Sequence, residues 1–462
     1  MTTTTQSRVS PPSPPPSATR ADAADRAWIV KVAIVANAVL IVALWLRHGG
    51  LEVIRGPGGP ATALGQITAL LGTYAVLVEL LFMARLPWLE RHAGLDRLAV
   101  WHRWNGFAAV DLLVAHLVFT TAGYAAANRK SFVWQTFDFI RHYPDVLMAF
   151  VALGLLIAVA ATSARAGRAR LRRETWYSIH LYAYLALGLG FAHQLAVGSD
   201  FSTDRAARVY WSALYVAVVA AIVFWRVGQP VAFNARHRLR VRAVQREAPD
   251  VVSIYLSGQH LEEIGAQPGQ FFLWRFLTRD GWYKARPYSL SAPPTKGTLR
   301  ITVKSLGDNS ARLQHICRGT RVFAEGPFGI FTPALRRRRK VLLVAGGIGI
   351  TPLRAMLESM HGGPGDVMML YRVATPADAV FSDELREFAR TRGVALYIIP
   401  GTEVGDDQTD LLAVPALRKG VPDIRSRDCF VCGPPGLIDA MRRRLAILDV
   451  PREQIHFERF EF

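Results

Sequence analysis

The sequence predicts three successive architectures: an all-α bundle of six membrane-spanning helices, an antiparallel β-barrel, and an α/β domain on a parallel sheet. Three observations predict it. Long apolar stretches with few charges fill the first half of the 462 residues and give way to a pattern typical of soluble proteins in the second. From about His237 short alternating runs follow one another between turn residues. From Lys340 the order becomes strand, glycine-rich turn, helix, strand.

Six segments can each cross roughly 30 Å of hydrocarbon with about 20 residues. They are residues 28–46, 64–84, 101–125, 145–164, 175–197 and 209–227, inside a domain spanning 27–228. Before them, residues 1–26 are rich in Thr, Ser and Pro and read as a disordered tail without the basic region of a signal peptide. The fourth-to-fifth connection carries Arg165, Arg168, Arg170, Arg172 and Arg173, and the second-to-third carries Arg85, Arg91 and Arg97. By contrast, Arg47 and Arg55 are nearly offset by Glu52, and Arg205 and Arg208 face Asp200 and Asp204. The positive-inside rule therefore puts both termini in the cytoplasm of a multi-pass protein of the cell membrane. Trp28, Trp45, Trp88, Trp101, Trp104, Trp176, Trp211 and Trp225 fall near span ends, as an aromatic belt does.

A formal net charge of +19 invites a nucleic-acid reading. The basic residues instead gather at the ends of apolar segments and in the run from Arg336 to Lys340. The expected partner is the lipid bilayer, not nucleic acid. Three cysteines, Cys317, Cys429 and Cys432, are too few for a disulfide framework or a plant-type iron–sulfur cluster. Electron carriers, if present, need other ligands.

The third span carries His102 and His116, 14 residues apart, and the fifth carries His180 and His193, 13 apart. At about 100° per residue both separations return close to the starting face, so each pair lies along one side of its helix, roughly 20 Å apart. Both spans start on the cytoplasmic side. His102 can then face His180, and His116 can face His193 nearer the outside. Imidazole is a common axial ligand of haem iron, and two b-type haems stacked across the bilayer follow. Intramembrane ionisable residues lean functional, but Asp111 and Glu79 are assigned no role.

In the soluble half, strands are expected at His237 to Val244, Val251 to Leu256, Gln270 to Trp274 and Leu299 to Lys304, within a barrel over residues 235–335. Arg286-Pro287-Tyr288-Ser289-Leu290-Ser291 offers an arginine for a pyrophosphate, and an aromatic ring and a hydroxyl for an isoalloxazine. Val303-Lys304 and the turn Gly307-Asp308-Asn309-Ser310 follow, with backbone N–H groups suited to phosphate at a helix start. FAD is the expected cofactor there. In residues 340–462 the strand Val341 to Val344 runs into Gly346-Gly347-Ile348-Gly349-Ile350-Thr351-Pro352, a dinucleotide-phosphate turn. Further strands are expected at Val367 to Tyr371, Ala395 to Ile399 and Asp428 to Cys432, the last ending in Cys432-Gly433-Pro434-Pro435. Cys429 and Cys432 point to opposite faces of a strand and make no dithiol. Cys432 is placed beside the nicotinamide of NAD(P)H.

Over roughly residues 28–462 the chain resembles the ferric reductase and NADPH oxidase superfamily, whose soluble half is similar to ferredoxin–NADP reductases. The paired histidines resemble its haem helices, Arg286 to Ser289 its flavin motif, and Gly346 to Pro352 and Cys432 to Pro435 its nicotinamide motifs. Phe460-Glu461-Phe462 looks like the aromatic tail that covers the flavin in such reductases, which implies a catalytic part for Phe462. Arg55, before Gly56-Pro57, resembles the arginine near the outer haem of oxidases that helps reduce oxygen; a snorkelling interfacial arginine is the other reading. Some features depart from the family. Pro400-Gly401-Thr402-Glu403, with Asp406 and Asp407, stands where NADPH-preferring relatives place Ser-Arg. Arg372 either supplies that charge or is a solvated surface residue, so NADH and NADPH both stay open. Ala186 and Leu187 replace an interhaem aromatic, and Thr120 replaces a histidine.

The resemblance implies an NAD(P)H oxidoreductase passing electrons through FAD and haem to an outer acceptor, either a ferric complex or molecular oxygen. A relay subunit that delivers electrons to a protein partner, and a non-catalytic haem or redox sensor, are the competing readings. A protein partner is possible but not required.

Overall fold

The computed structural model describes residues 20–198, 205–279, 281–295, 297–401 and 410–459. Two compact units divide the chain, Ala24–Gln229 and Pro230–Phe462.

In the first unit the helices are α1 (Arg20–Trp45), α2 (Gly59–Met83), α3 (Leu95–Asn128), α4 (Phe132–His142), α5 (Val146–Ser163), α6 (Arg173–Val197) and α7 (Arg205–Ile222). Helix α1 begins inside the stretch expected to be a tail, of which residues 1–19 lie outside the described residues. Five helical stretches are long and apolar enough to cross a membrane: Ala27–Arg55, Gly59–Met83, Arg97–Asn128, Val146–Ser163 and Arg205–His237. Helix α6 has the length, at 25 residues. It is not among those five, and it carries Tyr177, His180, Tyr182, Tyr184, His193 and Gln194 within its apolar run.

Helices α2 and α3 lie antiparallel and unusually close. Gly58, Gly65 and Gly72 recur every seven residues and so share one face of α2 and its lead-in. A Cβ at Gly58 would collide with the backbone of Gly123, one at Gly65 with Thr120, and one at Gly72 with Leu113. Small residues at such a seam let two backbones meet in lipid. On the other side of α2, Tyr74, Leu77 and Val78 pack with Val30 and Ile41 of α1 and Trp211 and Val218 of α7.

The second unit opens with β1 (Arg240–Ala248), β2 (Val251–Ser257), β3 (Phe271–Phe276), β4 (Arg286–Ser289), β5 (Leu299–Lys304) and β6 (Val322–Phe328). These strands form two three-stranded antiparallel sheets, β1-β2-β5 and β4-β3-β6. Single bridges at Arg240–Arg321 and Leu290–Ile301 join their edges. Period-2 alternation places Val252, Ile254 and Leu256 in one core with Phe272, Trp274, Ile301 and Val303. The short helix α8 (Asp308–Leu313) follows β5.

Next come β7 (Lys340–Gly346), β8 (Val367–Val373), β9 (Ala395–Pro400), β10 (Arg427–Gly433) and β11 (Ile455–Arg459), with helices α9 (Ile350–Ser359), α10 (Ser382–Arg392) and α11 (Pro435–Ile447). All five strands are parallel, in the order β11-β10-β7-β8-β9. The chain moves from β7 outward to β9 and then returns to the other side of β7 with β10. That reversal opens a crevice at the carboxyl ends of β7 and β10, where such sheets bind ligands. The edge strand β11 was not among the strands expected from the sequence.

One buried ionic cluster ties the antiparallel sheets to the parallel one. Arg300 of β5 donates to Glu384 Oε1 of α10 at 2.8 Å, and Arg354 of α9 donates to Glu384 Oε2 at 2.6 Å. Both guanidiniums also donate to the carbonyl of Ser291, at 2.8 and 3.2 Å. Burial pushes the Glu384 carboxyl up, but the bond from Arg300 and the charges of Arg354 and Arg300 outweigh it and hold it below the usual range. Glu384→Ala leaves the buried Arg300 without its carboxylate and Arg354 with Glu358 alone. The expected destabilisation is about 2–4 kcal/mol, the cost of breaking a buried pair discounted for the partial exposure of Glu384. Loss of near-ultraviolet circular dichroism on heating measures it. Because the folded carboxyl titrates lower than the unfolded one, this contribution is present at neutral pH and is lost as pH falls through the folded value, below the ordinary glutamate range. The gap between wild type and variant should therefore narrow in acid.

Candidate functional site

His102 of α3 and His180 of α6 meet edge to face, with ring centroids 5.9 Å apart and planes at 69°. Two imidazoles on opposite sides of one metal ion, each nitrogen about 2 Å from it, have centres roughly 6 Å apart. Trp176 stacks on His180 at 5.0 Å and is itself covered by the Arg168 guanidinium at 4.9 Å, which fixes that ring. His116 and His193 line one apolar cavity of about 360 Å³, together with Leu113, Leu117, Leu187 and Phe191. That volume lies within the usual range for ligand pockets.

The nitrogens left over are informative. His116 Nδ1 donates to the carbonyl of Gly65 at 2.9 Å, with Thr120 Oγ1 3.1 Å away. A carbonyl only accepts, so Nδ1 carries the proton and Nε2 keeps a free lone pair. His102 Nδ1 lies 2.6 Å from Glu79 Oε1, an ion-pair contact that is not aligned as a hydrogen bond. His180 Nδ1 and His193 Nδ1 are buried with no hydrogen-bond partner among the described residues. Buried imidazoles left short of partners mark a site that takes a further group. Among the described residues no three of His, Cys, Asp or Glu gather to hold a metal ion. Facing pairs suit an iron whose remaining ligands come from a macrocycle, so the residues fit haem.

Other polar groups sit around the His193 end. Gln194 Nε2 donates to Thr73 Oγ1 at 2.6 Å, and Tyr215 Oη donates to Gln194 Oε1 at 2.7 Å. Ala186, in the position noted for its missing aromatic, is buried on the cavity wall with Leu187. Arg55 is not among the residues lining this cavity; it is exposed beside a surface hollow formed with Arg47, His48 and Glu52. Asp111 is exposed on α3.

In the soluble unit, β4 pairs with β3 so that Arg286 lies opposite Trp274 and Tyr288 opposite Phe272. Alternation sends Arg286 and Tyr288 to the same side. Arg286 is half-buried and makes no ion pair among the described residues, which leaves it able to take an anion. Burial pushes the Tyr288 phenol up to about 12, so it stays a neutral donor. Pro287 is half-buried and Ser289 buried. Ser291 is fully buried, and its hydroxyl accepts from Thr302 at 2.8 Å, so it faces the core. Val303 is core, and Lys304 pairs with Asp250 at 3.4 Å. The Gly307 turn is closed on itself: Ser310 Oγ accepts from the N–H groups of Leu306 and Gly307.

The glycine turn at the end of β7 presses against the turn at the end of β10. A Cβ on Gly346 would collide with Leu437 and crowd Pro434, and one on Gly349 would collide with the Cys432 carbonyl. Gly347 has φ of 52° with open space beside it, so its backbone can meet a ligand. Ile350, Thr351 and Pro352 are buried in the first turn of α9, and Pro435 starts α11 after exposed Pro434 and buried Gly433. Two helix N-termini thus converge on the β7/β10 crevice, an arrangement suited to a pyrophosphate.

Cys432 is fully buried among Leu343, Ala345 and Tyr371, and Cys429 packs on the other face of the sheet with Leu342 and Met441. Burial raises both thiols, Cys429 to about 12 and Cys432 well above the ordinary range. Neither is a thiolate nucleophile, and the pair is no dithiol. Arg372 is buried and paired with Asp410, which also accepts from Arg444 at 3.2 Å. The solvated-surface reading of Arg372 is therefore excluded. Glu403, Asp406, Asp407 and the terminal Phe460, Glu461 and Phe462 lie outside the described residues. Sequence reasoning assigned no part to Glu79 and passed over Arg300, Arg354 and Glu384. An acid in an apolar span was the one available signal for the first, whereas ordinary surface helices offer none for the others.

Known proteins resemble both halves. Residues 68–191 match the ferric reductase like transmembrane component family, and residues 343–443 match the oxidoreductase NAD-binding domain family. The ferredoxin reductase component of the Mycobacterium tuberculosis 3-ketosteroid-9-alpha-monooxygenase is 35% identical over 199 residues, 42% of this chain and 54% of the relative. NADH oxidoreductase HCR of Escherichia coli is 29% identical over 221 residues, 46% of this chain and 66% of the relative. The chain thus spans little more than half the length of the first of these relatives. The FAD/NAD-binding domain of a Vibrio cholerae nitric oxide dioxygenase aligns with 49% of this chain and 99% of its own, at 25% identity and a TM-score of 0.40.

Gly349→Ala drives a Cβ into backbone that cannot yield, and should destabilise the soluble unit by about 1–3 kcal/mol. Gly436→Ala, with nothing within 4 Å of the new atom, should leave stability unchanged. Thermal melts of the two full-length variants distinguish a packed turn from a loose one.

Proposed function

We propose that this chain, which matches the ferric reductase like transmembrane component family over residues 68–191 and the oxidoreductase NAD-binding domain family over residues 343–443, is an NAD(P)H oxidoreductase and a transmembrane electron carrier. It takes hydride from NAD(P)H on the cytoplasmic side and reduces an acceptor on the outer side of the cell membrane, a ferric complex or molecular oxygen. All six long helices span the bilayer in this reading, α6 included, its polar residues facing the haem slot.

What supports the reading above all is that His102 of α3 meets His180 of α6, and that His116 of α3 and His193 of α6 line one cavity. When bound, FAD converts the two-electron hydride into single electrons, which haem iron accepts one at a time. The chain's own residues do the rest. Gly347 and the α9 and α11 N-termini hold the dinucleotide pyrophosphate. Arg286 holds the flavin phosphates, and the Tyr288 ring and hydroxyl orient the isoalloxazine. The Arg300–Glu384–Arg354 cluster keeps the strand carrying those residues fixed against the glycine turns. The four histidines hold two irons in an apolar interior that excludes water.

The test is anaerobic reduction of purified full-length protein by NADH and by NADPH, followed through the haem Soret and α bands, then admission of oxygen or ferric citrate. Reduction of two haems and reoxidation by one of these acceptors is expected. A correctly inserted sample that is colourless after growth with ample iron and haem precursor sinks the reading. The His116→Ala/His193→Ala double variant should retain one haem; two intact haems there would refute the pairing.

A further inference from the structure

The two histidines of α3 are held from behind by the same helix in chemically different ways. Behind His116 stands a neutral peptide carbonyl, that of Gly65, at 2.9 Å from Nδ1. Behind His102 stands a carboxylate, Glu79 Oε1, at 2.6 Å from Nδ1. The carboxylate is not there by chance of a flexible chain. Asn105 Nδ2 donates to Glu79 Oε2 at 2.7 Å and to the carbonyl of Ala75 at 2.8 Å, which pins the acid against α3. Gly106 leaves the room, because a Cβ there would lie 2.8 Å from Glu79 Oε1. Helix α3 therefore supplies the ligand candidate, the residue that locks its partner and the gap that admits it, at positions 102, 105 and 106.

We propose that Glu79 is a positioning residue for His102 whose negative charge makes the iron at the His102/His180 level harder to reduce than the iron at the His116/His193 level. The proposal rests on the haem reading given above. A carboxylate 2.6 Å from Nδ1 of a ligating imidazole favours a proton on that nitrogen and raises the basicity of the ligand. A more basic ligand and a nearby negative charge both favour ferric over ferrous iron, and second-shell bonding and burial are recognised levers on haem potential. In a poorly polarisable interior that charge is weakly screened. A peptide carbonyl behind His116 fixes the tautomer but carries no net charge. Electrons arriving at the first level are then drawn to the second, so the direction of flow is written into what stands behind the two ligands.

The experiment is a spectroelectrochemical titration of full-length protein, wild type, Glu79→Gln, Glu79→Asp and Glu79→Ala, each also made in the His116→Ala/His193→Ala background. Glu79→Gln keeps size and an acceptor oxygen and removes the charge. It should raise one haem midpoint by at least 59 mV, a tenfold change in a one-electron equilibrium, leave the other in place and retain both α bands. The same rise should persist in the double-histidine background, where only the His102/His180 level remains. Glu79→Asp should return the midpoint toward wild type. Glu79→Ala should show the same rise or lose that one haem, as removal of such a partner weakens metal binding 10–100-fold. Unmoved midpoints in Glu79→Gln, or a rise that vanishes in the double-histidine background, overturn the role of Glu79 while leaving the haems standing. Wild-type protein without haem overturns the function proposed above and this role with it.

Discussion

Close approach of α2 to α3 is the constraint on which the membrane unit depends. In hydrocarbon each ring nitrogen of a histidine must find a protein partner or a ligand, since water is absent. Helix α2 provides partners because its facing side is stripped of side chains at Gly58, Gly65 and Gly72, and the next residue in that seven-residue series is Glu79. The helices are antiparallel, so equal steps along both stay in register. Gly65 and Glu79 are 14 residues apart on α2, as His102 and His116 are on α3. One glycine therefore exposes a carbonyl to the upper histidine, and the acid two heptads on reaches the lower. On α6, the Nδ1 atoms of His180 and His193 have no hydrogen-bond partner among the described residues.

The soluble unit solves a different problem, that of holding two loops from different strands at a fixed spacing. Turns after β7 and β10 can share a crevice only if both are bare of side chains where they touch, which Gly346 and Gly349 accomplish against Leu437 and the Cys432 carbonyl. Flavin-motif strand β4 belongs to a separate sheet and has only four residues. Its position is secured just beyond its end, where the carbonyl of Ser291 accepts from Arg300, paired with Glu384, and from Arg354, paired with Glu384 and Glu358. Buried guanidiniums are stable only together with the carboxylates that balance them. That makes the cluster a rigid joint rather than a surface ion pair.

Much of this was legible because periodicity survives in the sequence. Strands β2, β5, β7, β8 and β10 lie where alternation or continuous apolar runs put them, and the histidine spacing of 14 and 13 already implied two tiers. Where reading along the chain failed, a side chain's partner came from far away. Ser291 reads as a ligand hydroxyl beside Tyr288, yet Thr302 captures it in the core. Arg372 reads as either a cofactor-binding charge or a surface residue, and burial with Asp410 removes the second of these. Among the described residues, helix α6 is the one long helix outside the five apolar stretches, and its tyrosines, histidines and Gln194 are what break its apolar run.

By itself the sequence determined the class of each segment, the apolar character of the first half, the placing of paired histidines on two of its helices and the glycine turns, since each depends on local period or on residues adjacent in the chain. Only the tertiary structure decided which nitrogen of His116 is free, that Glu79 stands behind His102 while a peptide carbonyl stands behind His116, and that one glutamate joins the two parts of the soluble unit. Those facts depend on distances between residues 23 to 84 positions apart along the chain, and no local pattern encodes a meeting of that kind.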